Sequence, residues 1–207
     1  MNDITSFEII GMFSEIAASV SRNSHWLTRL DTITGDGDHG EVMASAFMAM
    51  EHQLAAIDPS SVTPAQLFDM AAETFLTIDS ASARLYASAF RRAGSRLPGR
   101  HVITEAEFDR AFEAMASGII DHGQANAPHK NMVDAWNPAL LAYRSARDTG
   151  GPLSDSLTAA ADAALAGAEP DPKRADPLPF AHPDRVMDPG CASAILIMRS
   201  MRYALQE

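Results

Sequence analysis

The chain has 207 residues, of which 46% are hydrophobic and 21% charged, with a formal net charge of −11. That length suits one domain, or two at most, with enough chain to bury a core, and the acidic balance argues against a nucleic-acid binder, which would carry a basic face. No apolar run approaches the ~20 residues that cross a bilayer, no charged-then-apolar leader opens the chain, and the single cysteine, Cys191, cannot form an internal disulfide. The expected location is therefore the reducing cytoplasm.

Aromatics reach only 7%, while alanine and methionine are plentiful, a bias toward helices. Ile9, Phe13, Ile16 and Val20 are spaced four, three, four and line one helix face over 4–29. Further helices are predicted over 40–57, 64–77 and 81–96, the second of these opened by Thr63-Pro64 as N-cap and first-turn proline. Thr104-x-x-Glu107 is a capping box for a helix over 104–123, whose core face is Phe108, Phe112, Met115 and Ile119. Helices over 131–148, 152–168 and 189–206 follow, the last begun by Asp188-Pro189. Gly151-Pro152 is a weaker start of the same kind. Strand alternation is nearly absent. The reading is an all-α, single-domain bundle of eight helices over 1–207, antiparallel because most connections are short. One connection is long: residues 169–187 hold five of the twelve prolines, which forbids a regular helix and suggests a lid before the last helix.

The chemistry concentrates in "LDTITGDGDHG", residues 30–40. Gly35, Gly37 and Gly40 mark a turn between two helices. Asp31, Asp36 and Asp38 are like charges that repel unless a cation lies between them. Three carboxylates make a hard, all-oxygen site suited to Mg2+ or Ca2+ rather than Zn2+. An EF-hand is excluded: counted from Asp36, its sixth position is Glu41 instead of glycine and its twelfth is Phe47 instead of glutamate. The helix that begins at His39-Gly40 offers free N–H groups and a positive dipole end, an anion site. Carboxylates beside an anion site point to phosphate bridged by Mg2+.

This stretch resembles the dihydroxyacetone kinase L subunit (DhaL) family, whose motif reads roughly L-D-x-x-I-G-D-G-D-H-G. The likeness resumes at "SASARLYASAF" (80–90), "HKNMVDAW" (129–136) and "DPGCASAILIM" (188–198). The resemblance implies an eight-helix antiparallel barrel. It implies two Mg2+ ions on Asp31, Asp36 and Asp38, and ADP or ATP whose phosphates sit on those ions. His39, Gly40, Ser82, Gly123, Met132, Asp188 and Gly190 match nucleotide-contacting positions, with Ser80 in the phosphate loop beside them. It also implies a partner, a K-type subunit holding dihydroxyacetone or a related short ketose, with a phosphotransferase-system protein as phosphoryl donor in some members. A homodimer is compatible with the sequence.

Several positions depart from the family. Its phosphate loop is usually G-G-A-S-G-P-L, whereas this chain reads Asp79-Ser80-Ala81-Ser82-Ala83-Arg84-Leu85. If the lost glycines served positive φ, each replacement costs roughly 1–2 kcal/mol; Asp79 adds charge, and Arg84 is either a phosphate clamp or a solvated helix residue. Asn131 replaces a family threonine, and the lid keeps Lys173, Arg174 and Arg185 in a proline-rich setting. These departures motivate a competing expectation, a non-catalytic paralogue with a regulatory role. Elsewhere, "RRAGSRLPGRH" (91–101) is a basic run on an acidic chain. His25, His52, His122 and His182 lack ligand spacing, and Met43, Met48, Met50, Met70, Met115, Met132, Met198 and Met201 read as packing.

Overall fold

A computed structural model of the chain describes residues 3–123, 130–169 and 187–206. The proline-rich segment expected as a lid falls on 170–186, and its Lys173, Arg174, His182 and Arg185 lie outside the described residues. Eight helices run in order: α1 Ser6–Thr34, α2 His39–Leu54, α3 Pro64–Leu76, α4 Ala81–Gly94, α5 Glu105–His122, α6 Val133–Asp148, α7 Leu153–Ala168 and α8 Pro189–Ala204. Two short strands, β1 Asp3–Thr5 and β2 Val102–Thr104, pair antiparallel with Ile4 opposite Ile103. No described helix is long and apolar enough to cross a membrane.

Local chemistry sets the helix starts. Thr63 and Thr104 close capping boxes with Gln66 and Glu107, and Pro64 occupies the first turn of α3. A third box, Thr5 with Glu8, opens α1. The first helix therefore begins two residues later than predicted, because residues 3–5 are drawn into the strand pair. It also runs on to Thr34, where Gly35 N–H donates to the Asp31 carbonyl at 2.6 Å. Asp31 thus sits in the final turns of a helix rather than beyond its end.

Each helix packs on the next, and α8 returns to α1, so the bundle closes as a barrel. The expected face residues Ile9, Phe13, Ile16, Val20, Phe108, Phe112, Met115 and Ile119 are all buried. Aromatic rings thread the interior: Phe13 meets Phe68 and Phe90 edge-on, Phe90 meets Phe75 and Tyr86, and Tyr86 leads through Trp136 to Phe112 and Tyr143. Such contacts add about 0.5–1.5 kcal/mol each beyond area burial. Most of the methionines pack as expected, but Met48 is exposed and Met70 half-buried. His25, His52 and His122 are exposed.

At the end of the barrel remote from the aspartates, Arg147 of α6 ties down α5. Its guanidinium reaches Glu105 at 2.9 Å and Asp109 at 3.0 Å, and Asp109 accepts the Tyr143 hydroxyl at 2.6 Å. All three charged side chains are under one-fifth exposed. Arg147→Met removes the cation that offsets the charge of two half-buried carboxylates. It is expected to lower stability by about 1–3 kcal/mol, read as a lower urea midpoint at unchanged slope.

Candidate functional site

Asp31 approaches from the last turns of α1, and Asp36 and Asp38 from the turn that follows. Gly37 holds that turn with φ +81°, a conformation glycine adopts freely. One carboxylate oxygen from each of Asp31, Asp36 and Asp38 lies within 4.8 Å of the other two. Asp31 is buried; the other two are exposed. Asp31 Oδ2 accepts two backbone N–H bonds, from Asp38 at 2.9 Å and His39 at 3.0 Å, so this carboxylate shapes the turn as well as facing its neighbours. Slight desolvation in the turn, then the charges of Asp36, Asp31 and Glu41, holds the Asp38 carboxyl above its ordinary pKa. The donor set is all oxygen and anionic, and it fits a hard divalent cation.

The helix starts converge beside this cluster. His39, the first residue of α2, places Nδ1 3.3 Å from Ser82 Oγ of α4 and Nε2 2.9 Å from Ser193 Oγ of α8. Ser193 spends its proton on the Gly190 carbonyl at 3.1 Å. Its oxygen therefore accepts from His39 Nε2–H, and His39 Nδ1 accepts from Ser82. Burial keeps the imidazole pKa below its ordinary value, which agrees with a neutral ring in that tautomer. The beginning of α8 also meets that of α6, where the Cys191 thiol donates to the Asn131 carbonyl at 3.0 Å. The starts of α2, α4, α6 and α8 thus share one end of the barrel.

These starts are capped unequally. Asp188 caps α8 by accepting Cys191 N–H at 2.8 Å, and Asn131 Oδ1 accepts Val133 N–H at 2.9 Å at α6. Asparagine there does what a threonine would do, so this departure from the family leaves the helix start intact. The N-cap of α4 is Ser80, and its side chain makes no capping bond. Ala81, Ser82 and Ala83 N–H have no acceptor among the described residues. At the far end α1, α3 and α5 are closed by full capping boxes. Open N–H groups at a helix start bind anions.

The altered loop carries no backbone strain. Ser80 is extended, with φ −150° and ψ 147°, and no non-glycine residue described has positive φ. The cost expected for replacing glycines of positive φ therefore does not arise. Arg84 pairs with Asp79 at 2.8 Å, both well exposed, so the charge introduced at Asp79 is met by its own neighbour. Gly40 serves packing: a Cβ there would overlap the Ser24 carbonyl oxygen and stand 2.7 Å from Thr28 N of α1. Gly123 ends α5 against Val133, and Gly190 lies against Met132, which is itself 7% exposed. Ser193 escaped the sequence reading; its signal is a lone hydroxyl, fully buried, in the apolar start of α8.

Asp188 is a half-buried carboxyl whose pKa desolvation pushes up to about 6 from 3.8. Between those values the folded chain holds a proton that the unfolded chain releases. Stability from this group is complete below pH ~4 and is lost as pH rises through ~6. Asp188→Asn keeps the cap oxygen without the charge. It is expected to match the parent at pH 4 and to exceed it at pH 7 by roughly 1–3 kcal/mol, checked by urea unfolding of both proteins at both pH values. Equal differences at the two pH values would contradict the assignment.

Comparison with known proteins places the chain in a family and identifies its fold. A profile of the DAK2 domain matches residues 33–203. The chain belongs to the DAK2 domain family. It is 30% identical over 162 residues to the Listeria innocua PEP-dependent dihydroxyacetone kinase 2, ADP-binding subunit DhaL, covering 76% of this chain and 73% of that one. The Escherichia coli PEP-dependent dihydroxyacetone kinase ADP-binding subunit DhaL is 28% identical, over 78% of this chain and 77% of that one. Among solved structures, the dihydroxyacetone kinase of C. freundii in complex with AMP-PNP and Mg2+ superposes with a TM-score of 0.69 at 24% identity over 94% of this chain. The chain spans about a third of that longer one, 33%. The shared fold is the all-α, eight-helix DhaL-like barrel that the sequence predicts.

Proposed function

We propose that this chain is the Mg-nucleotide-binding subunit of a dihydroxyacetone-type kinase, which passes a phosphoryl group to dihydroxyacetone or a related short ketose held on a K-type partner subunit. The observation that carries the reading is the meeting of three carboxylates with the open N-terminus of α4 at one end of the barrel. Relatives named as ADP-binding subunits support the nucleotide, and names such as the Lactococcus lactis PTS-dependent dihydroxyacetone kinase support a phosphotransferase-system donor.

In this reading Asp31, Asp36 and Asp38 hold Mg2+, two ions by the family pattern. Ser80, Ser82 and the α4 amides receive phosphate oxygens, with His39, Gly40, Gly123, Met132, Asp188 and Gly190 shaping the nucleotide pocket around them. When bound, the cations neutralise charge between carboxylates and phosphates, which is most of what phosphoryl transfer asks of a protein. His39 is held by Ser82 on one side and Ser193 on the other. That fixes the ring as a positioning group for the α4 start rather than as a free base. The acceptor and any general base come from the partner.

A second reading, a regulatory paralogue, draws on the Asp79–Arg84 pair that stands where the family has glycines and proline. A transfer assay separates the two. The full chain, a K-type subunit, dihydroxyacetone, Mg2+ and either ATP or ADP with a phosphorylated phosphotransferase-system protein should yield dihydroxyacetone phosphate, and the Asp36→Asn/Asp38→Asn variant should not. Nucleotide binding with no sugar phosphate from any donor would favour the regulatory paralogue.

A further inference from the structure

The basic run at 91–101 is not used by the proposed site. Arg92 and Arg96 of this run help to line a groove of about 400 Å3, and facing them are Arg110 of α5 and Arg144 of α6. Four arginines therefore share one concavity on a chain whose net charge is −11. Glu113 is the single acidic residue in the lining, and Ser117 adds a half-buried hydroxyl.

We infer that this groove is a second binding site, for a compact phosphate-type oxyanion of the size of pyrophosphate or a small phosphate ester. Like charges do not gather without a counter-charge, and the protein supplies it incompletely. Arg144 pairs with Glu113 at 2.8 Å, Arg92 with Asp121 at 2.6 Å, and Arg110 only loosely with Glu107 at 3.8 Å. Arg96 forms no ion pair among the described residues. The arginine side chains of these pairs are 37–59% accessible, and exposed arginines exchange partners readily. A phosphate offers a better partner: the guanidinium fork matches its oxygens two at a time. Arg92 of α4, Arg110 of α5 and Arg144 of α6, with Arg96 just beyond the end of α4, approach the groove from separate elements. A concavity of about 400 Å3 suits a small ligand. The inference does not depend on the nucleotide reading, since none of the groove's residues belongs to that site.

The test is calorimetric titration of the full chain with sodium pyrophosphate in EDTA-containing buffer, at a constant ionic strength of about 0.15 M so that screening is fixed. One saturable site is expected. Arg96→Ala/Arg144→Ala should weaken it by about tenfold or more, as expected for loss of charge-assisted hydrogen bonds. Both side chains are exposed, and a matching circular dichroism spectrum establishes that the variant is folded. Glu113→Gln frees Arg144 and should tighten binding several-fold, a gain that damage to the fold would not produce. Asp36→Asn/Asp38→Asn should leave the affinity unchanged. The inference is overturned by absence of saturable binding, by binding indifferent to the arginine variant, by weaker binding in Glu113→Gln, or by binding that disappears with the aspartate variant.

Discussion

Asp31→Ala is expected to lower the stability of the metal-free chain by about 2–4 kcal/mol, the cost of leaving two N–H groups without their charged acceptor. Those groups are the Asp38 and His39 amides, both bonded to Asp31 Oδ2. Relief of repulsion with Asp36 and Asp38 offsets a fraction of the loss. Asp31→Asn keeps an oxygen in place and should cost about half as much, because a neutral acceptor is weaker than a charged one. Asp36→Asn and Asp38→Asn should behave differently. Both side chains are exposed, and single surface changes of this kind stay within about ±0.5 kcal/mol. Removing one charge also eases the neighbours that push the Asp38 pKa upward. Urea denaturation in EDTA checks the series. Equal destabilisation by all three aspartates would contradict the division of labour, in which Asp31 builds the turn and the exposed pair is available to the proposed cation.

Gly40→Ala carries the second large effect. The new methyl would fall on the Ser24 carbonyl oxygen and 2.7 Å from Thr28 N. Both are backbone atoms of α1 and cannot swing aside, so the helices must part. Overpacking of this kind costs about 1–3 kcal/mol and sometimes more. Because His39 adjoins Gly40, the shift also disturbs the His39 contacts with Ser82 and Ser193, so nucleotide affinity should fall with stability. Gly11→Ala is the control: it lies in the second turn of α1 with nothing within 4 Å of an added Cβ. Alanine there should be neutral or stabilising, by up to roughly 1 kcal/mol. Thermal unfolding of the two variants beside the parent reads the contrast directly. A Gly40→Ala protein as stable as the parent would mean that α1 and α2 do not approach as closely as described.

Much of this was legible in the sequence because the signals are local. Thr63-Pro64, Thr104-x-x-Glu107 and Asp188-Pro189 are short-range cap chemistry, and each marks the helix start it predicts. The four-three-four spacing of apolar residues placed the core faces of α1 and α5 for the same reason. Thr5-x-x-Glu8 is an equally local signal that went unread. What lay beyond reach depends on contacts between distant residues. Ile4 pairs with Ile103 across most of the chain's first half, and strands of three residues are too short to show alternation. The meeting of His39 with Ser193 joins α2 to α8, and nothing in either segment announces the other. Gly40 was read as an anion contact from its motif, while its packing against α1 depends on how closely two helices approach. The negative φ of Ser80 could not be inferred from the residues that replaced the family's glycines.

The most direct test of the central claim is a thermal-unfolding titration of the full chain with Mg2+ alone, ADP alone and both together, beside the Asp36→Asn/Asp38→Asn variant. With both ligands present at about 100 times the dissociation constant, stability should rise by roughly 2.7 kcal/mol. Either ligand alone should give a much smaller shift, and the variant should give none. A shift with Mg2+ alone that ADP does not extend, or an ADP shift that survives in the variant, would contradict the claim that three aspartates and the open start of α4 form one site for a metal-bound nucleotide.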